Sequence, residues 1–240
     1  MSFFNTVRHW FAEAPHFDGT IIASERVGSR IQKVTVGLPA PVTTPFPIGC
    51  YVQAMTWGCV PRDYSVATAD NTSFTLLVSF GAGGSGARFF RDAAVGEKVT
   101  CYGPFDDFPY RYGTRRSKVF FATSTGVAPF RRMVEEALAE NLPTVLVLGT
   151  PKEADIAFKS DFESLAKSNV NFTFIPVLSA PEPEWKGARG FVTDQANKNI
   201  EFLRESDVYI CGVPMMTLSV LTLLKKIAVP DHQIFVQKFG

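Results

Sequence analysis

A chain of 240 residues has room for one large or two ordinary domains, and 46% hydrophobic with 20% charged residues describes a folded globular protein rather than a disordered one. A formal net charge of +1 gives bulk electrostatics no pull toward nucleic acid or an anionic membrane surface. No stretch approaches the roughly 18 consecutive apolar residues of a membrane-spanning helix, and Phe, at 22 positions, is dense enough to seat flat rings as well as fill a core.

From the N-terminus, Phe3, Val7, Trp10 and Ala14 recur at helical spacing behind Ser2 as a cap, which predicts a helix packed on its own domain. The segment lacks a long apolar run and a small-residue cleavage site, so it does not read as a secretory signal. Short strands follow at Ile21–Ser24, Ile31–Val36, Tyr51–Met55, Phe74–Val78 and Lys98–Cys101, punctuated by Gly and Pro. Evenly spaced short strands without long helices predict a closed antiparallel barrel or a sandwich. Cys50, Cys59, Cys101 and Cys211 form no CxxC pair and no zinc or iron–sulfur spacing. No metal site is expected, and a reducing, cytoplasmic setting is.

Arg62-Asp63-Tyr64-Ser65 lies among these strands. A guanidinium suits a buried phosphate, the Tyr64 side chain two residues on projects from the same strand face, and the Ser65 hydroxyl can bond a ring nitrogen. Taken alone, these residues read rather as an ordinary strand with an exposed Arg and a core Tyr. After Phe80, the glycine-rich run from Gly81 to Phe90 leads into a helix start, where the backbone N–H groups of Gly83, Gly84, Ser85, Gly86 and Ala87 can approach an anion. A flexible hairpin loop is the alternative.

After the Phe108–Ser117 loop the pattern becomes strand–helix alternation. Strands are expected at Val119–Ala122, Thr144–Leu148, Asn171–Val177, Asp207–Cys211 and Ile234–Val236, with helices at Pro129–Leu138, Asp161–Ala166, Ile200–Arg204 and Met215–Lys226. Buried apolar strands alternating with helices predict a doubly wound parallel sheet. The expected architecture is therefore β plus α/β, with an antiparallel barrel and N-terminal helix over residues 1–115 and an α/β domain over 116–240. Such sheets bind ligands beyond the carboxyl ends of their strands, here after Ala122, Leu148, Val177 and Ile210.

Two of those ends carry recognisable turns. Thr123, Thr125, Gly126 and Pro129 form a strand-to-helix turn suited to a dinucleotide pyrophosphate, although GxGxxG is absent, and Arg131 and Arg132 read as a solvated face. Cys211-Gly212-Val213-Pro214-Met215 would let a planar ring approach the backbone, unless Cys211 is only a buried structural thiol.

In this order the motifs resemble the ferredoxin–NADP reductase superfamily of flavin oxidoreductases from about Ile21 onward. Arg62-x-Tyr64-Ser65 resembles its RxYS motif, Gly103-Pro104-Phe105 its GPxG, Ala122–Phe130 its ATGTGIAPF turn, Cys211–Met216 its CGPPxM, and Lys238-Phe239-Gly240 its closing tail. The resemblance implies FAD on the barrel and NAD(P)H on the sheet, with hydride passing from nicotinamide C4 to flavin N5. It assigns Arg62, Tyr64, Ser65, Phe80, the run Gly83–Ala87 and Phe239 to the flavin. Thr123, Thr125, Gly126, Pro129, Gly149, Ser179, Cys211, Gly212, Pro214 and Met215 fall to the nicotinamide nucleotide, and Ser65, Cys211 and Gln237 lie at the reacting centre.

The chain departs from the pattern at four places. Ser124 stands for a Gly in the turn, Ala87 for a Ser or Thr, Asp106 for a Gly, and Gln237 for a carboxylate that relays protons in many relatives. Gln cannot titrate, which removes an acid–base role but not hydride transfer. The glycine run favours a diphosphate, hence FAD over FMN. Ala180, Glu182 and Glu184 beside Ser179 disfavour a 2′-phosphate and point to NADH over NADPH, with Lys186 and Arg189 as partial compensation.

Without cluster ligands the electron acceptor must be separate, a ferredoxin-like redox protein or a small molecule. The basic run Arg111, Arg115, Arg116, Lys118 would dock an acidic partner or form a solvated interdomain loop. Two other readings remain open. Arg30-Ile31 and the stretch Phe89–Gly103 also resemble siderophore-interacting ferric reductases, which with free-flavin reductases change only the acceptor. Ser124 and Gln237 would also suit a non-catalytic flavin- or nucleotide-sensing component of a larger complex.

Overall fold

In β2 (Ile31–Gly37), Val34 and Val36 alternate with half-exposed neighbours, the period of a strand with one face on a core. The computed structural model describes residues 15–43, 46–56, 61–80, 84–198 and 200–237; the expected N-terminal helix, Gly83, the Ser85 side chain, Phe239 and the closing tail lie outside that description. With β2, the strands β1 (His16–Val27), β3 (Tyr51–Met55), β4 (Arg62–Ala69), β5 (Ser73–Ser79) and β6 (Lys98–Phe105) close an antiparallel barrel in the order β1-β2-β5-β4-β3-β6. The barrel core gathers Ile21, Val34, Val52, Val66, Phe74 and Leu76. Across it lies α1 (Ser85–Asp92), burying Phe89 and Phe90.

β1 is much longer than the four residues expected. Its first half pairs with β6, Phe17 opposite Cys101, and its second half with β2, Val27 opposite Ile31. Gly19 sits within this strand, where a Cβ would collide with the Val36 side chain.

The second half is a parallel sheet of β7 (Ser117–Thr123), β8 (Thr144–Thr150), β9 (Phe172–Leu178), β10 (Ala188–Arg189), β11 (Ser206–Cys211) and β12 (Ile234–Gln237), ordered β10-β9-β8-β7-β11-β12. Its helices are α2 (Phe130–Ala139), α3 (Lys159–Ser168), α4 (Val192–Ala196), α5 (Ile200–Arg204) and α6 (Pro214–Lys226). β7 buries five successive residues, Lys118 to Ala122, as a strand covered on both faces must. β10 and α4 were not expected; two and five residues carry no readable period. Barrel residues Ile31, Ala67 and Leu77 share one cluster with Phe120, Phe130 and Tyr209, so a continuous core joins barrel and sheet. No helix among the described residues is long and apolar enough to cross a membrane.

Two expectations about charge are corrected. Lys118 drops out of the basic run as a docking group, while Arg111 and Arg115 stay exposed: Lys118 is fully buried and donates to Asp207 Oδ2 at 2.7 Å, Thr114 Oγ1 at 2.7 Å and the Arg111 carbonyl at 3.0 Å. Arg116 approaches the other Asp207 oxygen at 3.5 Å, and Arg111 lies over the Phe235 ring. Nor do Arg131 and Arg132 form a solvated face. Arg131 bridges Glu135 and Asp161, while Arg132 donates to the Phe46 and Pro47 carbonyls and ties α2 to the barrel.

Candidate active site

Strand order reverses between β7 and β11, which opens a crevice beyond their carboxyl ends, at Thr123 and Cys211. The 3₁₀ turn Ser124–Val127 packs directly onto the end of β11. Gly126 is required there, because a Cβ would meet the Cys211 carbonyl and the Gly212 backbone. Gly126 thus brings two strand ends together and is itself buried. Thr123 Oγ1 accepts the Val213 N–H at 2.9 Å, which fixes the turn into α6. Ser124 adopts φ 51°, the left-handed region in which glycine is the unstrained residue.

The three residues read as lying at a reacting centre meet here. Cys211 and Gln237 are register partners on β11 and β12, and the barrel brings Ser65 from β4. Ser65 Oγ donates to Gln237 Oε1 at 2.9 Å, and the Cys211 thiol donates to the same oxygen at 3.5 Å. All three are buried. Burial pushes the Cys211 thiol far up, so it stays protonated and is a poor nucleophile.

On the barrel side, Tyr64 packs edge-on against Phe90 at 5.2 Å between ring centroids, and burial raises its hydroxyl to about 12. Gly86, in the first turn of α1, lies against the Tyr64 hydroxyl and the Arg62 side chain. That first turn carries no acidic residue and no side-chain cap, and the space beside Gly84 is open. Its amide N–H groups and the exposed Arg62 guanidinium, which pairs with no described carboxylate, make a donor set that fits a diphosphate. The Phe80 ring is capped by the Arg26 guanidinium at 4.2 Å.

A cavity of about 560 Å³ opens at the junction of barrel and sheet. Of the residues assigned to the nicotinamide nucleotide, Thr123, Gly149, Ser179 and Met215 line it. Thr125, Gly126, Pro129, Cys211, Gly212 and Pro214 are not among its lining residues. Sequence reading missed Arg30, Ile31 and Ser79 from the barrel, and Asp155, Phe191 and Val213 from the sheet side. Val213 lies inside the Cys211–Met216 motif, but the others come from separate strands and turns with no shared pattern. Phe191 leaves 68% of its surface exposed on this wall, a flat apolar face without a partner ring among the described residues.

Beside Ser179, two of the charges named for coenzyme choice, Glu182 and Arg189, are engaged elsewhere. Glu182 pairs with Lys152 at 2.6 Å, and Arg189 Nη2 donates to the carbonyls of Glu182, Pro183 and Trp185 at 3.3, 3.1 and 2.8 Å.

Residues 120–221 match the family described as an oxidoreductase NAD-binding domain. The electron transfer component of anthranilate 1,2-dioxygenase from Acinetobacter baylyi is 31% identical over 183 residues, covering 74% of this chain and 53% of that protein. A component of the Na(+)-translocating NADH-quinone reductase from Klebsiella pneumoniae is 33% identical over 156 residues, covering 60% of this chain and 38% of that protein. This chain therefore spans about half or less of the length of these relatives. Among solved structures, Amycolatopsis cytochrome P450 reductase GcoB superposes with TM-score 0.85 at 26% identity, covering 94% of this chain and 71% of that one. The ferredoxin reductase in carbazole 1,9a-dioxygenase shares the fold at TM-score 0.83 and 18% identity, covering 94% and 70%.

Proposed function

The chain belongs to the ferredoxin reductase-like flavoprotein reductases, and on that premise we propose that it is an FAD-dependent NAD(P)H reductase passing electrons to a separate acceptor. The observation that carries the reading is the meeting of Ser65 from the barrel with Cys211 and Gln237 at the sheet's switch point. A ligand on the barrel and a ligand in the 560 Å³ cavity would face one another across those residues.

When bound, a flavin supplies two-electron acceptance from a reduced nicotinamide and one-electron release to an acceptor. The protein's part is binding and orientation. Arg62 and the first-turn amides of α1 would hold the flavin diphosphate, and Tyr64 would present its ring to the flavin. Ser65 and Gln237 would hydrogen-bond at the ring edge, while Cys211, kept protonated, would bring no charge to the reacting centre. On the nucleotide side, Thr123, Gly149, Ser179 and Met215 line the cavity, and Phe191 offers a face on which a base can stack.

NADH is the favoured coenzyme. From Ala180 to Gly190 the cations are Lys186 and Arg189, and Arg189 is held by three carbonyls. The repulsion expected from Glu182 is reduced, because Lys152 neutralises it. A ferredoxin-like protein is the acceptor class this reading favours. The free, buried thiols of Cys50, Cys101 and Cys211 suit a reducing, cytoplasmic setting.

The test is anaerobic titration of the purified yellow protein with NADH and with NADPH. The flavin band near about 450 nm is expected to bleach with NADH at the lower concentration. A protein that stays colourless after incubation with excess FAD, or a flavin that neither coenzyme bleaches, ends the reading.

A further inference from the structure

Tyr209 lies one layer inward from the reacting centre. Side chains two apart on a strand share a face, so Tyr209 sits beside Cys211 on β11 and Phe235 beside Gln237 on β12, about 7 Å along the strands. The Tyr209 and Phe235 rings stack with centroids 4.7 Å apart. From Tyr209 the rings lead outward: Tyr110 lies parallel to it within 9° at 6.2 Å, and Tyr112 meets Tyr110 edge-on at 4.8 Å. Tyr209 is fully buried and Tyr112 is 57% exposed, so three phenols in succession run from core to surface.

Core packing accounts for the rings but not for what the hydroxyls touch. Glu136 within α2 and Glu140 at its C-cap, four residues apart, share one face of that helix. Tyr112 donates to Glu136 Oε2 at 3.2 Å, and Tyr110 donates to Glu140 Oε2 at 2.7 Å. Burial first, then the neighbouring glutamates, raises the pKa of Tyr110 and Tyr112, and burial raises that of Tyr209, so all three phenols are protonated. A phenol that loses an electron becomes a strong acid, and a carboxylate already bonded to it takes the proton without rearrangement. The Tyr209 hydroxyl instead accepts the Arg111 N–H at 2.9 Å, and Lys118 Nζ stands 5.2 Å from the Tyr110 ring centre. Both contacts disfavour positive charge on the inner rings, which leaves Tyr112 as the place where an electron vacancy rests.

We propose that Tyr209, Tyr110 and Tyr112 form a relay that moves a one-electron oxidising equivalent from the flavin site to the surface, with Glu136 as the proton acceptor at its outer end. The proposal rests on the reductase reading for the flavin, and its oxidant is the oxidised flavin excited by blue light. One electron passes from Tyr112 through Tyr110 and Tyr209 to that oxidant and leaves it for the one-electron acceptor. The Tyr112 O–H bond breaks, its proton forms an O–H bond at Glu136 Oε2, and a neutral phenoxyl radical remains. Ascorbate or another soluble reductant then returns the electron, and Glu136 returns the proton. The relay thereby draws oxidation away from the buried Cys211 thiol to a side chain that solvent reductants reach.

Laser-flash absorption and electron paramagnetic resonance of the flavin-loaded full chain, with ferricyanide as the one-electron acceptor, test it. A tyrosyl radical is expected in the wild type. Tyr112→Phe, Tyr110→Phe and Tyr209→Phe should each lose most of it, since Phe keeps the ring but not the oxidisable phenol. Glu136→Gln should shorten its lifetime about tenfold or more, because the amide cannot hold the proton. Bleaching by NADH in the dark should be unchanged in Tyr112→Phe, and an unchanged flavin spectrum and melting temperature show that the variants are folded. Equal radical yield in wild type and Tyr112→Phe, or in wild type and Tyr110→Phe, overturns the proposal. NADH bleaching in a wild type that forms no light-driven tyrosyl radical removes the relay alone. A radical that depends on Tyr112 and Tyr110 in a protein whose flavin NADH cannot bleach removes the reductase reading alone. A chain that takes up no flavin overturns both.

Discussion

Ser65 Oγ lies 2.9 Å from Gln237 Oε1, linking the barrel's fourth strand to the last strand of the sheet through two groups that do not titrate. The adjoining Cys211 thiol is held protonated by burial.

The rate of flavin bleaching by NADH is therefore expected to be flat from about pH 6 to 9. Gln237→Glu places a carboxyl in the same buried position, where desolvation raises its pKa and introduces a titration into that profile. Stopped-flow rates across the range check both halves. A titration in the wild type would show that some other ionisable group contacts the reacting centre.

Ser124 holds a left-handed backbone at φ 51°. Ser124→Gly should relieve strain and leave stability equal or higher by up to about 1 kcal/mol. Gly126→Ala should cost about 1–3 kcal/mol, because its methyl group would collide with backbone rather than with a movable side chain. Urea denaturation reads both, and a Ser124→Gly variant less stable than wild type by more than about 1 kcal/mol contradicts the strain argument.

Removing the Lys118 charge leaves Asp207 buried with only Thr114 and a distant Arg116 as partners. Lys118→Met is expected to cost about 3–5 kcal/mol, and the double variant Lys118→Met with Asp207→Leu to recover part of it. Equal stability of wild type and Lys118→Met would show the pair to be dispensable.

Burial of Glu140 works against its charged form, yet the Gly113 N–H at 2.9 Å and the Tyr110 hydroxyl at 2.7 Å outweigh this and hold its pKa below the usual 4.5. A carboxyl depressed on folding contributes stability that is present above its unfolded pKa and fades as pH falls through the lower folded value. Thermal melting should therefore drop below about pH 4.5, and Glu140→Gln should make that acid limb shallower. An identical acid limb in the variant rules out this linkage.

The barrel and the parallel sheet were both legible in the sequence, because each rests on periodicity within a few residues. Alternation in Ile31–Val36 and the unbroken apolar run at Val119–Ala122 are local signals of one-sided and two-sided burial. The charged residues were least legible. Nothing near Lys118 indicates that Asp207 neutralises it, and nothing near Arg132 indicates that barrel carbonyls receive it.

The sequence by itself determined the two layer types, their order, and the residue kinds available at strand ends, because strand period, apolar runs and turn residues act over short range. Only the tertiary structure decided which of those residues meet. Ser65 reaches Gln237 across 172 positions, and Ser29 reaches Asp155 across 126. Such pairings follow from barrel closure and from the reversal of strand order at β7 and β11, and no local pattern encodes either.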